Sequence, residues 1–416
     1  MSRVLRAVSI LAGAVVVFGA CRERVRAVQG AADLRALVRQ RIGPVERATG
    51  LTFKREPVVE QRTRAQMKAY VIRKLDEELP PAEFAGMAAA YRLLGLLPEA
   101  LDLRRTLVDL LTEQVAGYYE PDSGALYVAA DLGGLDSFVV RTTVSHELVH
   151  ALQDQYADLD SIMSVKRQND RRLAAQAVLE GQATLAQTLV MMPEQDLTRL
   201  PSFWESRSVV RRQQAVMPQF AAAPLWLREV LIFPYLGGAD FVRAFRLRHP
   251  GRQPLGDAMP VSTEQILHAD RYAAGDAPTG LAFEAEAGRR ALYEDGLGEF
   301  EIRVLFMVLL GDSLESEAPR LAAGWDGDRY LVLDAGSGGS QGSHAFVWYS
   351  VWDSEADARE FAEGLHRAWM RRPAVPAGRR YEIWIGEVEG MPAVRLVDAP
   401  EAWGGWRAVP GVRVVR

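Results

Sequence analysis

Apolar residues recur at helical spacing over the first part of the chain and at strand spacing over the last. Between Ala31 and Ala116 the text is mostly helical. Arg64 to Leu75 carries an apolar stripe that Pro80-Pro81 ends, and Phe84 to Leu97 and Leu101 to Val115 give two more segments with Met, Leu and Tyr on one face. These stripes predict core, not cofactor sites. The period then switches to two. Val115 to Tyr119 and Ala125 to Ala129 flank Glu120-Pro121-Asp122-Ser123-Gly124, whose Pro and Gly suit a hairpin turn. Asp136 or Ser137 then caps a helix running to about Tyr156, and Asn169 or Asp170 starts another that stops before Pro193. Residues 200–300 read as helices with loops. After Trp325, strands at 328–334, 345–352, 381–388 and 393–397 surround a helix at 355–371, a small β-β-α-β-β module. Its glycine-rich stretch, 336–342, joins two strands and precedes no helix, so it reads as a turn rather than a phosphate cradle.

A chain of 416 residues is too long for one simple core, so two domains with a helical preface are expected. The net charge is -5 and the arginines are scattered, which leaves no clustered footprint for nucleic acid. The single cysteine matters for its position. Arg3 and Arg6 precede an apolar stretch, Val8 to Phe18, followed by Gly19-Ala20-Cys21, the layout of an export signal. That stretch is well short of the roughly 20 residues a membrane-spanning helix needs. The segment resembles a bacterial lipoprotein signal, with Phe18 where Leu is usual. The resemblance implies that Cys21 is lipidated and that the protein is exported and anchored at a membrane of the cell envelope. An ordinary cleaved signal and an uncleaved anchor also fit the layout. The expected division is a signal (1–21), a tether (22–30), a main domain with its helical preface (31–324) and the small module (325–416).

His146-Glu147-Leu148-Val149-His150 carries the chemistry. Positions i and i+4 share one helix face, so His146 and His150 can present imidazoles to one metal, zinc by their type and spacing. Glu147, one residue round, is placed to take a proton from a water held there. Val140, Val144, Leu148 and Leu152 form an apolar stripe, and Glu147 is the one charge between Thr142 and Gln153. A catalytic site wants a third ligand and an open position. Glu180 is the best candidate: it stands in the apolar run Ala174 to Thr184, where a lone carboxylate is expensive. Gly181 after it costs roughly 1 kcal/mol relative to Ala in a helix, which suits a close crossing over the motif helix. Asp154 and His268 are rival ligands. For an oxyanion donor, His268 and Tyr272 are the leading choices, with Tyr118 or Tyr119 behind them. His249, His344 and His366 are assigned no role.

HExxH with a downstream Glu on a second helix resembles the gluzincin branch of zincin metallopeptidases, over roughly residues 115–190. A third His six residues after His150 would mark another branch, but Tyr156 stands there. More narrowly, Tyr118-Tyr119-Glu120-Pro121, HELVHALQDQ from His146, Glu180-Gly181-Gln182-Ala183 and Ser262 to His268 resemble a group of uncharacterised exported prokaryotic zincin-like proteins. The resemblance implies an α+β zincin-like fold and hydrolysis of peptide bonds by a zinc-activated water, with one zinc on His146, His150 and Glu180 and Glu147 as the base. It also implies an edge strand that binds extended peptide, for which Ala125 to Ala129 is the candidate. Thr184 stands where thermolysin-like members carry an Asp, so the outer support of the metal must be built differently. The alternative is a lipid-anchored binding or assembly factor that keeps the fold without turnover.

Overall fold

A computed structural model describes residues 31–132, 134, 137–284, 291–311, 317–336, 344–373 and 377–415. The export signal with Cys21, the tether, Asp136 and most of the glycine-rich stretch lie outside them. The architecture is α+β, mixed helix and sheet.

Three long helices form its heart. The motif helix, Phe138–Gln153, starts at Ser137, whose hydroxyl accepts a hydrogen bond from the Val140 N–H. The ligand helix, Asn169–Met191, is buried from Leu173 to Gln187 because it packs on the motif helix on one side and on a third helix, Leu225–Arg248, on the other. That third helix is termed the crossing helix. The N-terminal helix, Ala31–Thr49, lays Leu34, Val38 and Val45 on Val140, Val144 and Leu148 of the motif helix. Each such side chain contributes about 1.5–3 kcal/mol by leaving water.

A three-stranded sheet covers the motif helix. Its strands are β1 (Val58–Arg62), β2 (Gly117–Glu120) and β3 (Ala125–Ala129). β3 is central: it runs parallel to β1, with Val58 opposite Ala125, and antiparallel to β2, with Tyr118 opposite Tyr127. The expectation of an edge strand at Ala125 to Ala129 is therefore corrected. β1, from a region that reads as helical, occupies that flank, so β3 is central and β1 and β2 are the two edge strands. β2 also lies nearest the motif: a Cβ on Gly117 would come within 2.7 Å of Thr143 Cγ2 and 3.3 Å of Glu147 Cγ. Only glycine lets the strand approach so closely.

The remaining strands are β4 (Gly280–Phe283), β5 (Ala291–Asp295), β6 (Trp325–Asp334), β7 (His344–Trp352), β8 (Arg379–Val388), β9 (Met391–Pro400) and β10 (Val412–Val415). β5 to β9 form one sheet in the order β5-β6-β7-β9-β8. β7 is almost wholly buried because both sheet faces are covered, by the helix Glu355–Trp369 on one side and the β4–β10 pair on the other. β5 lies ahead of residue 325, where the module was expected to begin, so the sheet runs across that position. Asp328 of β6 accepts from the N–H groups of Leu297 and Gly298 at 2.8 and 2.9 Å, and from the indoles of Trp325 and Trp348. One hydrophobic cluster continues from Met67 through Phe233 and Phe300 to Leu396. No helix among the described residues is long and apolar enough to cross a membrane.

Candidate metal centre

The motif helix and the ligand helix bring His146, His150 and Glu180 together. His146 Nε2 lies 3.1 Å from Glu180 Oε2 and 3.1 Å from His150 Nε2, and His150 Nε2 is 3.5 Å from the same Glu180 oxygen. An ion at about 2.0–2.2 Å from each of three tetrahedral ligands sets them roughly 3.3–3.6 Å apart, so this triangle is close to the size zinc requires. Among the described residues it is the one His, Cys, Asp and Glu group that could hold a metal ion. The donor set fits zinc on a second ground too: Glu180 Oε1 and both Glu147 oxygens are buried without a hydrogen bond of ordinary geometry. Buried acceptors left in that state cost free energy unless a cation or a ligand answers them.

The electrostatics point the same way. Burial opposes charge on His150, but the adjacent Glu180 carboxylate outweighs it and carries the imidazole up to about 9. Burial holds His146 below its ordinary value, against the pull of Glu180. Burial alone would raise Glu180, yet the imidazoles, His150 foremost, keep its carboxyl below the usual range. A positive charge is thus favoured at the centre of the triangle, which a metal ion would supply in place of a proton on His150. Glu147, completely buried, is pushed up to about 8. A divalent cation nearby would bring it down toward the range where it accepts a proton at neutral pH.

The outer support is built from glutamines. His150 Nδ1 donates to Gln153 Oε1 at 2.8 Å, so that Nε2 is the ring nitrogen turned to the triangle, where it could ligate a metal. The Gln153 amide in turn donates to Leu179 O at 2.9 Å and to Gln182 Oε1 at 2.8 Å, both on the ligand helix. Gln182 continues to Gln253, and Gln253 to the carbonyl of Thr49. Gln187 stands within hydrogen-bonding reach of His146. Gln153→Leu is expected to weaken zinc binding about 10–100-fold, read by competition with a chelating dye, because the His150 ring loses its anchor. Unchanged affinity would show that helix packing alone orients the ring.

Two expectations need correction. His268 and Tyr272 are not brought to the triangle. His268 Nε2 meets Glu299 Oε1 at 3.0 Å beside the Arg303 guanidinium, and the Tyr272 hydroxyl donates to Ala258 O at 2.7 Å. Their segment is tied to the ligand helix at Asp170, which accepts from the Thr263 N–H. That lies nearly three turns before Glu180, about 15 Å of helix rise. The close crossing at Gly181 is real but has another partner. A Cβ on Gly181 would come within 2.1 Å of the Gly238 carbonyl carbon, and one on Gly238 within 1.8 Å of Ala177 O. The ligand helix therefore interlocks with the crossing helix, not with the motif helix.

That interlock delivers a residue absent from the site expected from the sequence. Tyr235, one turn before Gly238, stacks its ring on His146 with centroids 6.0 Å apart. Its hydroxyl is buried near Glu180 without a hydrogen bond of ordinary geometry. Burial, then the charges of Glu180 and Glu147, hold the phenol well above its usual value, so it stays a neutral donor. Tyr118 and Tyr119 are engaged away from the triangle. The Tyr119 hydroxyl donates to Asp154 at 2.8 Å, with Arg55 pairing to the same carboxylate, and Tyr118 stacks on Tyr70 at 3.8 Å.

Residues 288–401 match the model of a domain of unknown function, DUF8575, a stretch that takes in β5 to β9 and leaves out the metal centre. No curated protein and no solved structure matches the chain.

Proposed function

We propose that this chain is a zinc-dependent metallopeptidase of the gluzincin type, exported and held at a membrane through Cys21, with its centre in a zincin-like domain. The observation that carries the reading is the convergence of His146, His150 and Glu180 from two helices, with the fully buried Glu147 beside them. When bound, zinc supplies a Lewis acid that polarises a carbonyl and acidifies water. Glu147 accepts the proton of the attacking water and passes one to the leaving amine. Tyr235 offers its O–H to the carbonyl oxygen as charge develops there, in the role the sequence suggests for His268 and Tyr272. Gln153 fixes the His150 ring so that its Nε2 lone pair points inward. An extended peptide would add to β2, the one of the two edge strands in which Gly117 keeps the backbone close to Glu147.

The test is metal content by plasma mass spectrometry of the mature chain, wild type beside His146→Ala. About one zinc per chain, absent from the variant, is the expected result. A wild-type chain that takes up no zinc when it is supplied would overturn the proposal.

A further inference from the structure

A pocket of about 330 Å³ opens beside the metal centre. Its buried floor is Thr142, Thr184, Gln187 and Leu236. Thr142 lies one turn before His146, Thr184 one turn after Glu180, Leu236 next to Tyr235, and Gln187 reaches His146. Each floor residue is thus a neighbour of the candidate centre, along its helix or by direct contact. At the mouth stand Phe138, Met192 and Val209, 39%, 40% and 39% exposed.

The walls say what belongs inside. Four lining hydroxyls are already engaged within the protein. Thr142 donates to Phe138 O and Thr188 to Thr184 O, each at 2.8 Å, Ser202 to Asp240 Oδ2 at 2.6 Å, and Ser206 to Ser202 O at 3.2 Å. Gln187 is turned to His146, and Gln195 and Arg199 are exposed, so beyond Thr184 the interior offers a peptide backbone few polar partners, whereas a hydrocarbon chain has none to lose. The volume is about twice the ~150 Å³ of a dry cavity that takes one benzene, too large for a single side chain. Met191 and Met192 add a surface that adapts to a flexible chain.

We infer that this pocket holds an acyl chain carried by the substrate, so that lipid-modified peptides are the preferred substrates. The word substrate rests on the peptidase reading; binding of the chain does not. The experiment uses the full chain, the fluorescent fatty acid cis-parinaric acid, and one peptide made with and without an N-terminal palmitoyl group. Saturable binding of the probe is expected, weakened at least about tenfold by Met192→Arg combined with Val209→Arg, both at exposed positions the fold tolerates. The palmitoyl peptide should displace the probe and be cleaved with kcat/KM about tenfold or more above its unacylated twin. The double variant should lose that preference while still cleaving the unacylated peptide, and an unchanged melting temperature confirms its fold. No saturable probe binding by wild type, or equal binding by the variant, overturns the inference. Probe binding displaced by free palmitate, with both peptides cleaved alike, overturns the substrate-borne chain in favour of a free fatty acid. Probe binding that survives in wild type and in His146→Ala, with neither peptide cleaved by wild type, sinks the peptidase reading and leaves a lipid-binding pocket.

Discussion

Glu147→Gln is expected to lower peptide turnover by about 10²–10⁴-fold while zinc content stays at the wild-type level. The two side chains have nearly the same shape, and the oxygen of the amide can still accept from the Tyr119 backbone N–H that Glu147 faces. An amide cannot take up the proton of an attacking water. The carboxyl is completely buried and pushed up to about 8, so its replacement by a neutral group removes a potential buried charge and should not destabilise the fold. Turnover and plasma mass spectrometry on the same preparation separate the two effects. Full activity with Gln at this position would sink the mechanism. A non-catalytic binding factor would show no change in its function at all.

Gly238→Ala is expected to cost about 3 kcal/mol or more of stability and to weaken zinc binding at the same time. The new methyl would lie 1.8 Å from Ala177 O and 2.6 Å from its carbonyl carbon, and no side-chain rotation can relieve a clash with backbone. The two helices must move apart. Tyr235 is one turn from the clash on the crossing helix, and Glu180 is next to Gly181 on the ligand helix, so separation displaces a proposed donor and a ligand together. A lower melting temperature measured with and without zinc, alongside chelator competition, reads both effects. A variant that melts like wild type would show that the backbones are not in contact there.

Much of the centre was legible because its signals are local. HExxH needs only helical spacing, Ser137 is a local cap, and Glu180 stands out as a lone carboxylate in an apolar run. What was illegible depends on contacts between distant segments. β1 buries little of its own surface and exists because it pairs in parallel with β3, so nothing between Val58 and Arg62 announces a strand. Missing it left β3 at an edge, where the structure has it at the centre. Tyr235 sits in an apolar stretch and reads like any packing tyrosine; only the Gly181–Gly238 interlock turns it toward His146. Gly237-Gly238 inside a helix was the available clue. The glutamines offered another, since Gln153, Gln182 and Gln187 are uncharged polar residues on buried helix faces. His268 and Tyr272 misled because an imidazole and a phenol can each serve as an oxyanion donor, while Glu299 and Arg303 claim that histidine from farther along the chain.

β5 ties the sheet to what precedes it in a way that bears on inheritance. A recombination joint placed at residue 325 would carry four strands away and leave behind the edge strand that completes them. It would also separate Asp328 from the Leu297 and Gly298 amides that answer it. The recipient would gain a sheet with an open flank, and the donor a helix start with two unanswered N–H groups. Descent is therefore expected to move this sheet only in pieces that begin ahead of Ala291.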